Sequence, residues 1–138
     1  MRRKIKLTQI DEEVMLAITS DKLVPVHNAQ VNEEHQCMMV DKLSNEGKTD
    51  IRITDICVKA HILTVYDYML DHQAYRYVEQ IARDTRGIEH TIGTYQLKKV
   101  DGRYLLQDCY RKPSSDVDSG FEDELNRLLE KYFNKSFK

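Results

Sequence analysis

Residues 61–87 read HILTVYDYMLDHQAYRYVEQIARDTRG, and the fold turns on how this stretch is interpreted. Ile62, Tyr66, Leu70, Ala74, Tyr77 and Ile81 fall at steps of three or four residues, with Leu63, Met69 and Val78 widening the stripe. Residues so spaced share one face of a helix, and the pattern predicts a long central helix over about 61–86. Thr64, Asp67, Asp71, Arg76 and Arg83 take the other side. Arg83 and Arg86 fall in the last turn, where cations suit the helix dipole, and Gly87 fits a C-cap.

A hairpin follows over about 91–111. Asp101-Gly102 suits the centre of a two-residue turn, where both residues need positive φ. That register pairs Lys99 with Tyr104, Leu97 with Leu106 and Tyr95 with Asp108. It puts Tyr95, Leu97, Tyr104, Leu106 and Tyr110 on one inward face. Upstream, residues 4–10 suit a short strand. Val14 to Ile18, opened by Asp11-Glu12-Glu13, suits a helix or a buried strand. Asn32 suits the cap of a helix that starts at Glu33 and ends before Gly47, with Cys37, Met38, Val40 and Leu43 inward. Residues 50–54 read as a strand, and periodicity leaves 55–63 open between strand and helix. Downstream, 113–118 reads as a short tether. Ser119 and Glu122 form a capping box before a C-terminal amphipathic helix over about 119–135, striped by Phe121, Leu125, Leu128 and Tyr132, with Leu129, Phe133 and Phe137 beside it. The expectation is a single α+β domain over 1–138: a small antiparallel sheet packed with a long central helix and a C-terminal helix.

Bulk composition narrows the function classes. With 138 residues, 41% hydrophobic and 32% charged, the chain can bury a core without disulfides or a metal. Cys37, Cys57 and Cys109 are odd in number and widely spaced, unlike a disulfide framework. No stretch has the apolar length of a membrane span, and the basic start Met1 to Lys4 lacks the apolar core of a signal peptide, so a cytoplasmic, non-membrane protein is expected. The net charge of −2 hides an acidic first third and a basic segment around the hairpin.

Motifs that dictate a reaction are absent from the sequence. Phosphate-loop, nucleophile-elbow and His-Glu-x-x-His patterns do not occur. His35-x-Cys37 and Cys57-x-x-x-His61 offer zinc-type ligands, but the pairs are twenty residues apart and lack usual spacings; core cysteines and satisfied histidines are the simpler reading. Neither a cofactor nor a metal is expected. The aromatic row Val65, Tyr68, His72 and Tyr75 runs along the flank of the expected helix. Eight tyrosines against three phenylalanines and no tryptophan favour rings with a polar tip at a partly wet surface. Such a row suits a protein interface, and it also suits simple edging of the core.

These features favour a non-enzymatic binding or regulatory domain that acts through protein contacts as a homodimer. Tyr68, His72 and Tyr75, with Leu125, Leu129 and Phe133 of the terminal stripe, form the candidate interface. The alternative is a nucleic-acid-binding regulator of winged-helix type, using Arg83, Arg86, Lys98, Lys99, Arg103 and Arg111 on phosphates. A third class is a small enzyme using His61, His72 or His90 in acid–base work.

Overall fold

The stretch 61–83 folds as two antiparallel strands, not as a helix. In a computed structural model, which describes residues 9–26, 31–58, 61–83 and 86–111, the order is α1 (Gln9–Thr19), α2 (Glu33–Asn45), β1 (Thr49–Val58), β2 (His61–Leu70), β3 (Gln73–Arg83), β4 (Glu89–Val100) and β5 (Arg103–Arg111). The strands form one five-stranded antiparallel sheet in the order β1-β2-β3-β4-β5. The expected long central helix is therefore overturned. The expected strand at 4–10 lies mostly outside the described residues, and Gln9 and Ile10 belong to α1. The tether at 113–118 and the C-terminal helix at 119–135 lie outside them altogether.

Burial on both sides of the sheet explains why the helical reading fails. A half-buried strand alternates apolar and polar residues, whereas a strand covered on both faces is apolar almost throughout. Leu63, Thr64, Val65 and Tyr66 are four consecutive buried residues of β2. Leu63 and Val65 face α1, where they join Val14, Met15, Ile18, Ile56, Val78, Tyr95, Leu97 and Tyr104 in the larger core. Tyr66 and Tyr68 face α2 and pack with its Met39 and Leu43. A near-continuous apolar run contains residues at three- and four-residue steps by default. Ile62, Val65, Tyr66, Tyr75, Tyr77, Val78 and Ile81 are β-branched or aromatic, which suits a pleated surface.

Asp71 and His72 form the two-residue turn between β2 and β3, with φ of 51° and 64°. The same geometry recurs at Asp101 and Gly102, φ 52° and 78°, where the sequence pattern is plain. Left-handed backbone at both central residues is the mark of a type I′ hairpin turn. Histidine at the second position conceals the first of these turns.

The β4–β5 pairing follows the expected register at Lys99↔Tyr104 and Leu97↔Leu106. It then slips by one residue: Tyr95 pairs with Cys109 rather than Asp108. The irregularity leaves Gln107 exposed, turns Cys109 toward the larger core and puts Tyr110, 56% exposed, on the other face. Space is tight at Gly93 nearby. A Cβ there would lie 3.0 Å from the Tyr95 hydroxyl oxygen, which donates a 2.6 Å hydrogen bond to Gln80 Oε1.

α2 starts as its cap predicts, with the Asn32 side chain accepting from the His35 amide at 3.0 Å. Its inward residues are Met39 and Leu43, four apart; Cys37 and Met38 are exposed, correcting their expected placement. Arg76 ties α1 to the sheet. It is 2% exposed, grips both Asp67 carboxylate oxygens at 2.7 and 3.2 Å, and donates to the Ile18 and Ser20 carbonyls at 2.8 Å. Its guanidinium carbon lies 3.8 Å from the Tyr104 ring centre. Among the described residues, no helix is long and apolar enough to cross a membrane.

The two readings of 61–83 assign opposite signs to His72→Gly. In a helix interior the change costs about 1 kcal/mol. In the turn it relieves a left-handed non-glycine residue, and stability rises by about 1 kcal/mol. Urea unfolding of the two proteins is expected to show the rise.

Candidate functional site

Side chains alternate between sheet faces, so the register sorts the tyrosines. Tyr66 and Tyr68 of β2 lie on the face that carries α2, and their cross-strand partners Tyr77 and Tyr75 share it. Glu79, on the same face, pairs with Thr94 of β4, and Thr94 pairs with Tyr110 of β5, which brings Tyr110 to this face. Five of the eight tyrosines therefore gather on one side of the sheet. Tyr95 and Tyr104 belong to the other core.

At the centre of this face is a buried carboxylate. Glu79 of β3 is 5% exposed. His35 Nε2 lies 2.9 and 3.1 Å from its two oxygens, and the Tyr66 hydroxyl donates to Oε1 at 3.3 Å. Beside it, the Asp55 carboxylate accepts from Gln36 at 3.1 and 3.2 Å and from the Thr64 hydroxyl at 2.8 Å. Two consecutive residues of α2 thus reach down to two carboxylates of the sheet. Burial costs less when each polar group finds a partner, and these contacts dock α2 across β1–β3 in one register. Burial raises the pKa of the Tyr66 hydroxyl well above its ordinary value, and the Glu79 charge adds to this. Burial and then Glu79 push Tyr77 up to about 12, against a hydrogen bond with Thr94.

The aromatic row divides. Tyr68 and Tyr75 do meet, stacked across β2 and β3 with ring centres 5.6 Å apart and planes 20° apart. Tyr68 is buried, its hydroxyl accepts from Gln96 Nε2 at 2.8 Å, and Lys48 Nζ lies 4.8 Å from its ring centre. His72 is exposed in the β2–β3 turn, away from a shared stripe, because the segment is a hairpin. Leu125, Leu129 and Phe133 lie outside the described residues.

The basic residues divide as well. Lys98, half-buried on the α2 side, pairs with Tyr75 and Leu105. Lys99 points to the opposite side, 5.6 Å from the Tyr104 ring centre, and Arg103 opens β5. Arg83 ends β3, Arg86 is exposed in the β3–β4 connection and Arg111 ends β5. Along β4, Lys98 is about 30 Å from Glu89, the partner of Arg83, and about 17 Å from Gly93, the partner of Arg111. The β4–β5 hairpin follows strand β3 rather than a helix, so the order behind the winged-helix comparison is not found around it.

His61 and His90 both pair with Ala82 from flanking strands, whereas His72 is at the other end of the sheet. Among the described residues no three His, Cys, Asp or Glu side chains group as metal ligands; Cys37 and Cys57 are exposed. Sequence reasoning passed over Glu79, weighed His35 only as a zinc ligand and took Tyr77 only as part of a helical stripe. The one signal of the buried carboxylate is Glu79-Gln80 set between Val78 and Ile81, a polar pair inside an otherwise apolar strand.

The tyrosine shifts set an alkaline limit. A raised folded-state pKa means that the folded chain holds the phenol proton more tightly than the unfolded chain. The stability this provides is whole below the unfolded value near 10 and is lost as pH rises through about 12. Tyrosinate absorbance is expected to show a late-ionising class, and Tyr77→Phe is expected to remove one residue from it.

Compared with known proteins, the chain matches no family model, no curated protein and no solved structure.

Proposed function

We propose that this chain is a non-enzymatic binding domain that acts through protein contacts, as a homodimer. The observation that carries the reading is the gathering of tyrosines on one sheet face, of which only part is covered among the described residues. α2 lies over β1–β3, burying Tyr66 and Tyr68. Over β4 and β5 the face shows Thr94, Gln96, Lys98, Leu105, Asp108 and Tyr110. Tyrosine bodies supply apolar contact area while their hydroxyls keep hydrogen bonds, a composition enriched at protein interfaces. Asp108, paired with Gln96, and Lys98, one step along the same face, put both signs of charge on this strip, which suits a directional contact.

The polar groups of the site favour binding over catalysis. His35 and Glu79 are committed to each other and hold α2 in place. Phosphate binding along the hairpin has less support, because the cations divide between two ends and two faces of the sheet.

Sedimentation of the full chain at about 50 µM, where a stable dimer persists, is expected to give a dimer. Leu105→Asp with Tyr110→Asp is expected to give a monomer with an unchanged far-ultraviolet spectrum. A monomeric unaltered chain overturns the dimer. A dimer indifferent to both substitutions overturns the choice of face.

A further inference from the structure

We propose that the cavity between the segment after α1 and the α1 side of the sheet binds a free α-amino acid, held by both of its charges. The site lies on the opposite side of the sheet from the tyrosine face and does not depend on the homodimer reading.

The cavity holds about 480 Å³, within the roughly 300–1,000 Å³ of small-molecule sites. The Asp67–Arg76 ion pair lies at its floor, Arg52 of β1 and Lys99 of β4 line it from either side of that pair, and Asp21 lines it from the segment after α1. Ala74, cross-strand from Met69, leaves room there because its side chain is a single methyl group. β1 carries one extra residue at this point: its register shifts between Thr49 and Arg52, and Asp50 takes φ 53°. Irregularities of this kind re-aim side chains beside functional sites, and Asp50 and Arg52 both line the cavity.

The charges around the cavity are matched in sign but not paired. Asp67 and Arg76 satisfy each other at 2.7 and 3.2 Å. Asp21, Asp50 and Arg52 make no side-chain hydrogen bond or ion pair among the described residues, and the contact of the Lys99 ammonium is with the Tyr104 ring, 5.6 Å from its centre. Two such cations and two such carboxylates around one cavity complement a zwitterion better than a simple anion or cation.

Tyr104 supplies the second observation. It is 7% exposed, lines the same cavity, and its hydroxyl has no hydrogen-bond partner among the described residues. A buried tyrosine hydroxyl usually has one. Burial and then the Asp67 charge raise its pKa, so the phenol keeps its proton and acts as a donor. Arg52 and Asp21 are among the charges that act on it. A ligand carboxylate accepts from this hydroxyl with Arg52 and Lys99 as counter-charges, and the ligand ammonium donates to Asp21 and Asp50.

Calorimetric titration of the full chain with glycine, L-leucine, L-glutamate and L-arginine tests the site. At least one is expected to bind with a Kd of about 1 mM or tighter. Propionate and ethylammonium, which each carry one of the two charges, are expected to bind about tenfold more weakly or less. Tyr104→Phe keeps the ring that Arg76 packs on and removes only the unpaired hydroxyl. It is expected to keep the far-ultraviolet spectrum and the thermal midpoint while losing about tenfold in affinity for the amino acid. No binding of any of the four at about 20 mM overturns the proposal. Propionate binding as tightly as the amino acid overturns the zwitterion, and undiminished affinity in Tyr104→Phe overturns the placement in this cavity.

Discussion

The packing of Arg76 is the constraint on which the architecture depends. A guanidinium that is 2% exposed must find partners for its donors, and here they come from three places at once. Asp67, its cross-strand neighbour, balances the charge. The Ile18 and Ser20 carbonyls, left without amide donors at the end of α1, accept from Nη1. Tyr104 of β5 covers the flat face of the group. One side chain in the middle strand thereby fixes the end of the first helix, the pairing of β2 with β3 and the position of the last strand. α1 in turn closes the larger core, since Val14, Met15 and Ile18 reach Leu63, Val65 and Val78 only while its C-terminal end is held.

The opposite face uses the same device with the signs exchanged. There the sheet supplies buried carboxylates, Glu79 and Asp55, and the helix supplies His35 and Gln36. Each helix is apolar in contact but polar in registration. Hydrophobic contact is non-directional, so Met39 and Leu43 alone would let α2 slide over Tyr66 and Tyr68. Two hydrogen-bonded pairs at its first turn remove that freedom. Among the described residues, helix coverage of this face ends with β3, and the face continues over β4 and β5.

Little of the site was legible in advance. Tyr68 and Tyr75 were singled out as helical neighbours and do touch, but for a different reason: they are opposite each other across a hairpin. His72 shared the spacing and does not share the surface. Glu79 was silent because a carboxylate in a sequence is taken as a solvated group unless its burial is known. The basic residues near the hairpin were close in sequence yet divide between sheet ends, because a meander returns the chain only after a full strand length. Tyr110 changed faces through a single irregularity at Gln107, which no alternation pattern records.

What the sequence determined by itself is local chemistry: the Asn32 cap, the Asp101-Gly102 turn, the β4–β5 hairpin near that turn, and a chain rich enough in apolar residues to build a core. These depend on contacts within a few residues, where backbone sterics and one hydrogen bond decide. The tertiary structure alone decided what 61–87 becomes. Its residues satisfy a helical stripe and a strand pair equally well on paper, since continuous burial erases the difference between a period of 3.6 and a period of 2. Helices on both faces of the sheet, held there by Arg76 and by His35 with Gln36, reward the strand pair by burying both sides of β2.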